Sequence, residues 1–271
     1  MIARLTFVSF MVAALLLSNE TRSETNEIHP IVELQSGEYL LGARSNGKWI
    51  DGEKTASLVK AETTYRLFSF TAEVGKATGA KPISADEPCP DTYSVKMSEK
   101  PEGALIAIAA SWDPMPRAPK VASTDQPVYV TAVRDFLKAH GLKNPEVKIT
   151  KIVRVDLDGD GEEEVLVNAT NYGDDEEGIS ANAPGGSYSV VLVRRVVAGK
   201  VDTKMIAGEI YPSKKTFSAP NIHRILSVID LDGDGKMEVV LESAYYEGGG
   251  TTVYGFRGSK WEELLSVACG A

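Results

Sequence analysis

Short runs of apolar residues that alternate with polar ones dominate the chain from residue 37 onward. The alternation predicts a hairpin over residues 37–50, with Asn46-Gly47 in its turn, because this pair takes the positive φ angles of a tight hairpin turn. Further strands are predicted at 65–71, 92–97, 104–110, 147–155, 163–170, 188–197, 203–210, 224–229, 237–244, 251–256 and 261–267. Val, Ile and Tyr are abundant in the runs after residue 147. The pattern therefore predicts a mainly β protein.

One segment has the period of a helix instead. Residues 128–140 are predicted to form an amphipathic helix, with one face made of Val130, Val133, Phe136 and Leu137. Gly141 is a natural stop just after it.

The composition of the segments between these elements divides the chain into four parts. We predict a signal peptide at 1–23, an N-terminal β region at 24–126, a helix with its linker at 127–148, and a β repeat region at 149–271. Within the second part, residues 24–36 are predicted to be a flexible polar start. The prolines of residues 111–127 predict a linker there.

The beginning of the chain has the pattern of an export signal. Arg4 precedes an apolar run at residues 5–17, and a polar stretch follows at once. A run of 13 residues is too short to span a bilayer, which needs about 20. The alternative is a buried N-terminal helix. The signal-peptide interpretation predicts a secreted or periplasmic protein that does not span the membrane.

The chain has only two cysteines, Cys89 and Cys269. In an oxidising compartment such a pair usually forms a disulfide, so we predict a bond between them. The alternative is two separate buried thiols.

The formal net charge is −9, which argues against a nucleic-acid-binding protein, because such a protein needs a basic face. The negative charge is not spread evenly. Residues 156–177 hold ten acidic and no basic side chains, and residues 230–247 hold six acidic and one basic. The remainder of the chain is mildly basic.

These acidic regions contain an internal repeat at an offset of 74 residues. Residues 156–166 read DLDGDGEEEVL and residues 230–240 read DLDGDGKMEVV, so eight of eleven positions are identical. An apolar strand is predicted before and after each copy.

Alternating carboxylates of this kind are typical of a site for a hard cation. Oxygens at positions 1, 3 and 5 can surround one ion, and Gly at position 6 allows the sharp turn that brings them together. An EF-hand would need a bidentate Glu at position 12, where this chain has Val167 and Leu241. Position 9 is acidic in both copies instead. The simpler alternative is a pair of solvated Asp-Gly turns.

The strand, D-x-D-x-D-G-x-x-E, strand arrangement resembles the calcium loops of FG-GAP and VCBS-type repeats. The resemblance implies antiparallel sheets of the propeller-blade type, here an incomplete or degenerate β-propeller, because only two such loops are present. It implies two Ca²⁺ ions. The side-chain ligands it implies are Asp156, Asp158, Asp160 and Glu164 for one ion and Asp230, Asp232, Asp234 and Glu238 for the other, with backbone carbonyls from Glu162 and Lys236.

We therefore expect an exported calcium-binding β protein that acts as a binding or structural module. Its expected partner is a glycan or a surface protein. One alternative is a secreted hydrolase with an unrecognised site in the N-terminal half, but no catalytic residue can be named, so we favour a protein without enzymatic activity. A calcium-dependent inhibitor or assembly factor is a third hypothesis.

Overall fold

The computed structural model describes residues 27–173, 179–257 and 260–270. Three antiparallel sheets, a two-stranded ribbon and two helices form this part of the chain. The prediction of a mainly β fold is confirmed. The predicted signal peptide lies outside the described residues.

The N-terminal sheet is built from the first half of the chain. The elements of this half are β1 (Ile28–Glu33), β2 (Leu40–Ser45), β3 (Lys48–Asp51), α1 (Gly52–Ala56), β4 (Thr63–Phe68), β5 (Glu73–Gly79), the ribbon strands β6 (Ile83–Ser84) and β7 (Tyr93–Ser94), and β8 (Ile106–Ile108). Six of these strands form the sheet in the order β3-β2-β1-β8-β4-β5. The predicted hairpin is present as β2 and β3, and Asn46 and Gly47 both have positive φ.

The start of this region differs from its prediction. Residues 24–36 contain β1, a central strand in which Ile31 is fully buried, so the prediction of a flexible start was wrong. Glu33 makes this run look polar. Its buried carboxylate accepts hydrogen bonds from the backbone N–H groups of Ser36 and Gly37, both at 3.0 Å. Its charge is thus satisfied by the turn that follows, and the strand can remain in the core.

The helix-backed sheet comprises β9 (Lys120–Ala122), β10 (Ile149–Val155), β11 (Glu164–Thr170), β12 (Ser187–Val197) and β13 (Lys200–Tyr211), in the order β13-β12-β11-β10-β9. The predicted amphipathic helix is confirmed as α2 (Pro127–Ala139). Its Val133 and Leu137 are fully buried against the outer face of this sheet. Strand β9 belongs to the segment predicted to be a linker and pairs with β10. Neither helix of the described residues is long and apolar enough to cross a membrane.

The C-terminal sheet lies between the other two. Its strands are β14 (Ile222–Ile229), β15 (Glu238–Tyr245), β16 (Gly248–Arg257) and β17 (Lys260–Gly270), in that order. Successive residues of a strand point to opposite faces. Val240 packs against the N-terminal sheet, whereas its neighbour Val239 packs against the helix-backed sheet. Both faces of the C-terminal sheet are therefore buried.

A disulfide joins Cys89, near the ribbon, to Cys269 in β17, with the Cα atoms 5.5 Å apart. The predicted pairing is confirmed, and the alternative of two separate thiols is wrong. The bond fastens the C-terminal sheet covalently to the N-terminal region.

Candidate metal centres

Two acidic loops connect β10 to β11 and β14 to β15. The first acidic loop is residues 156–164, and the second is residues 230–238. Asp156 accepts hydrogen bonds from the backbone N–H groups of two loop glycines at 2.7 and 3.1 Å, and Asp230 accepts the equivalent bonds at 2.7 and 2.9 Å. These glycines have φ between 75° and 91°, a region that other residues rarely adopt. The sequence repeat is therefore also a structural repeat.

A buried glutamate closes each loop at its ninth position. Glu164 accepts a hydrogen bond from the backbone N–H of Leu157 at 2.9 Å, and Glu238 accepts one from that of Leu231 at 2.9 Å. A carboxylate oxygen has two lone pairs. Each glutamate thus stabilises the conformation of its own loop, and Glu164 keeps lone pairs that can face a cation.

Three carboxylates converge in each loop, although the third member differs. The triad of the first loop is Asp156, Asp158 and Glu164, and the triad of the second is Asp230, Asp232 and Asp234. In each triad one oxygen per residue lies within 4.8 Å of the others. Both triads could hold a metal ion, because they present several oxygen ligands to one point.

The other four predicted ligands lie outside these triads. Asp160 accepts a hydrogen bond from the backbone N–H of Glu162 at 2.8 Å. Glu238 accepts one from Arg257 at 3.3 Å. The roles predicted for the carbonyl oxygens of Glu162 and Lys236 stay predictions.

Two arginines from other strands lie beside the carboxylates of the second acidic loop. Arg257 of β16 donates to Asp232 at 3.0 Å, and its guanidinium lies 3.8 Å from Asp234. Arg44 of β2 lies 3.5 Å from the same oxygen of Asp232. Because the Asp232 side chain is only 2% exposed, these two guanidinium groups replace most of the water that would otherwise balance its charge.

Burial raises the pKa of three carboxyl groups in this loop. The pKa of Glu238 rises to about 8, mainly through burial and further through the neighbouring Asp232 carboxylate. Burial also raises the pKa of Asp230. For Asp232, burial and then the charge of Asp234 raise the pKa, while Arg257 opposes the rise. A bound cation would favour the charged form of every one of these groups.

The triad of the first acidic loop has fewer cationic contacts than that of the second. Arg195 of β12 lies 3.6 Å from Asp158, and Arg117 lies 3.8 Å from the side chain of Asp156. Asp158 Oδ1 is buried and has no hydrogen-bond partner among the described residues. Burial raises the pKa of Glu164. An orphaned oxygen in a carboxylate triad is the position that a metal ion would satisfy.

The two loops are neighbours. The Arg117 guanidinium donates to the backbone carbonyl oxygens of both Asp156 and Gly235. The backbone N–H of Met237 donates to the carbonyl oxygen of Leu157 at 2.8 Å. The two candidate centres are thus clamped side by side.

Sequence reasoning missed the arginines of these centres. Arg44, Arg117, Arg195 and Arg257 are far from the loops along the chain, and only the folded sheets bring them close. One regularity links two of them, since Arg195 and Arg257 both lie in the third strand of a repeat. The sequence around these arginines has no metal-binding motif that would have identified them.

The ligand chemistry of both triads is that of a hard cation, because every member is a carboxylate. Comparison with protein-family models, with curated proteins and with solved structures returns no match to this chain.

Proposed function

We propose that the protein is an exported calcium-binding β protein in which calcium stabilises the strand–loop–strand units. The observation that carries the proposal is the orphaned, buried Asp158 oxygen inside the carboxylate triad of the first loop. Calcium suits such a site, because it takes six to eight oxygen ligands in flexible geometry and accepts backbone carbonyls and water beside carboxylates.

The charge of the loops supports a cation. The first loop has six acidic and no basic residues in nine positions, and the second has four acidic and one basic. Like charges at this spacing repel one another. In the first loop Arg117 and Arg195 lie within 4 Å of the triad, and Lys120 and Arg154 pair with Glu163. Four cationic side chains do not balance six carboxylates.

The resemblance to FG-GAP and VCBS-type repeats supports the same function. Each loop joins the first two strands of a four-stranded antiparallel series, β10 to β13 and β14 to β17. We infer that these series are blades of an incomplete β-propeller. On this interpretation the calcium is structural.

A module of this kind acts outside the cytoplasm. The apolar run at residues 5–17 supports export, and the Cys89–Cys269 disulfide is typical of secreted or periplasmic proteins. The role that we propose is to bind a glycan or a surface protein, with calcium fixing the geometry of the module.

Thermal unfolding in calcium and in EGTA tests the proposal. At a calcium concentration about 100 times Kd, one site adds about 2.7 kcal/mol to the free energy of unfolding, which raises the Tm by roughly 5–10 °C. Asp158→Asn should reduce this rise, whereas Asp135→Asn, on the exposed face of α2, should leave it unchanged. An identical Tm in calcium and EGTA would disprove the proposal.

A further inference from the structure

A cleft lies between the helix-backed sheet and the C-terminal sheet, beside the first acidic loop. Its volume is about 210 Å³, and its walls are mainly apolar. The residues that line it are Val193, Arg195, Val197, Asp202, Lys204, Phe256 and Trp261. Two aromatic rings on one side therefore face a strand pair that carries Arg195, Lys204 and Asp202 on the other.

Buried polar atoms without partners line the inner end of this cleft. Trp261 Nε1 and Arg195 Nε are N–H donors with no hydrogen-bond partner among the described residues, and Asp158 Oδ1 is an acceptor in the same state. All three side chains line a narrow inner cavity next to Glu164, whose volume of about 10 Å³ admits a group no larger than a water molecule. Because these three atoms are buried, a ligand in the cleft can reach the Trp261 ring and the exposed part of the Arg195 side chain, which is 22% exposed.

Arg195 stands between the cleft and the first acidic loop. Its guanidinium lies 4.4 Å from the centroid of the Phe256 ring and 3.6 Å from the carboxylate of Asp158. Calcium in the first loop would take over the charge of Asp158 and repel the guanidinium. Arg195 would then need another anion, and the cleft is the space that its side chain already lines.

We propose that this cleft binds a small aromatic carboxylate and that calcium in the first acidic loop strengthens the binding. The apolar body contacts the rings of Phe256 and Trp261, and the carboxylate accepts hydrogen bonds from the Arg195 guanidinium. The volume is below the roughly 300–1,000 Å³ of sites for drug-sized ligands, so a compound of one or two rings fits. The coupling to calcium rests on the proposed function, whereas the ligand site does not.

The rim of the cleft adds little net charge. Lys204 lies 3.4 Å from Asp202, which also lines the cleft and offsets the lysine charge. Recognition of the anion therefore depends on Arg195, and removing this one charge should remove the preference for a carboxylate over a neutral ligand of the same shape.

The test is a titration of the full chain with 2-naphthoate, with 2-naphthamide as the neutral control, followed by proton–nitrogen NMR of the indole N–H groups. The chain has three tryptophans, and Trp261→Phe assigns the signal of the cleft. In calcium we expect 2-naphthoate to move the Trp261 signal but not those of Trp49 and Trp112. Affinity should be about tenfold lower in EGTA, a typical coupling between two sites.

Variants separate the ligand site from the calcium proposal. Arg195→Gln should bind 2-naphthoate and 2-naphthamide equally, while Arg154→Gln, which removes a more exposed arginine of β10, should keep the preference for 2-naphthoate. A Trp261 signal that does not move in calcium overturns the ligand site, and equal affinity in calcium and EGTA overturns the coupling. The calcium-dependent Tm is read separately, so a ligand site that fails leaves the calcium result intact, and the reverse also holds.

Discussion

The two acidic loops share one backbone conformation and one sequence pattern but balance their charge differently. In the second loop, Arg257 and Arg44 lie 3.0 and 3.5 Å from an Asp232 side chain that is 2% exposed. In the first loop, Arg195 lies 3.6 Å from an Asp158 side chain that is 27% exposed and has an unpartnered oxygen. The same motif therefore occurs in two states. In the second loop arginine side chains already pair with the buried aspartate, and in the first loop one aspartate oxygen remains unpartnered.

This difference has a consequence for affinity. An ion that enters the second loop must displace Arg257 from Asp232, whereas an ion that enters the first loop meets the free Asp158 oxygen. We expect the first loop to bind calcium more tightly. The second loop is expected to depend less on an ion because Asp232 is already paired with Arg257 and Arg44.

The largest expected difference between the loops is their response to pH without calcium. The pKa of Glu238 is about 8 in the folded protein and 4.5 in the unfolded chain. Between these values the folded state holds the extra proton, so the stability present below pH 4.5 is lost as the pH rises through 8. We expect a loss of about 5 kcal/mol in the free energy of unfolding, measured by urea titration in EGTA.

Matched variants assign this loss to one loop. Glu238→Gln should flatten the pH dependence, and Glu164→Gln, the equivalent change in the first loop, should alter it less because Glu164 is less deeply buried. If the free energy of unfolding depended on pH equally in both variants, the proposed difference between the loops would be contradicted.

The next largest effect is expected from the first aspartate of each loop. The buried Asp230 carboxylate accepts backbone hydrogen bonds from Asp232, Gly233 and Gly235. Asp230→Ala leaves these donors unpaired and should cost about 2 kcal/mol, measured by urea unfolding in EGTA. Asp156→Ala should cost about 1 kcal/mol, because water can reach the donors of the first loop. Equal losses would show that the loops are equally solvated.

The smallest effect is expected from the arginines. Arg257→Met should lower the free energy of unfolding in EGTA by about 1.5 kcal/mol, because it leaves Asp232 with a weaker counter-charge. Arg195→Met should cost about 0.5 kcal/mol, since its ion pair is longer and more exposed. Calcium should raise the Tm of the Arg257→Met variant by more than it raises the Tm of the parent chain. A variant that calcium does not restore would argue against ion binding in the second loop.

Much of the fold follows from local pattern. Helix α2 and its buried Val133 and Leu137 follow from the helical period, and the β2–β3 hairpin follows from its Asn-Gly turn. Strand β1 was missed because its Glu33 is stabilised by a turn that the strand pattern does not include. Strand β5 was missed because its Gly, Lys and Thr residues give little alternation.

The candidate site was predictable only in its sequence-local part. The repeat indicates both loops and their converging carboxylates, because those contacts lie within nine residues. It does not indicate Arg257, whose partner Asp232 is 25 residues away, or Arg117, which contacts Gly235 from 118 residues away. Contacts of this range depend on how the sheets pack, and no local pattern encodes them.

The disulfide makes most of this chain a covalent ring. Cys89 and Cys269 are separated by 180 residues, and both acidic loops lie inside the ring. Closing a ring of this size removes conformational freedom from the unfolded chain worth about 5 kcal/mol. A protease that cuts one peptide bond inside the ring releases no fragment, because the two pieces remain linked through sulfur. A nicked molecule would therefore keep both loops on one covalent body until the disulfide is reduced.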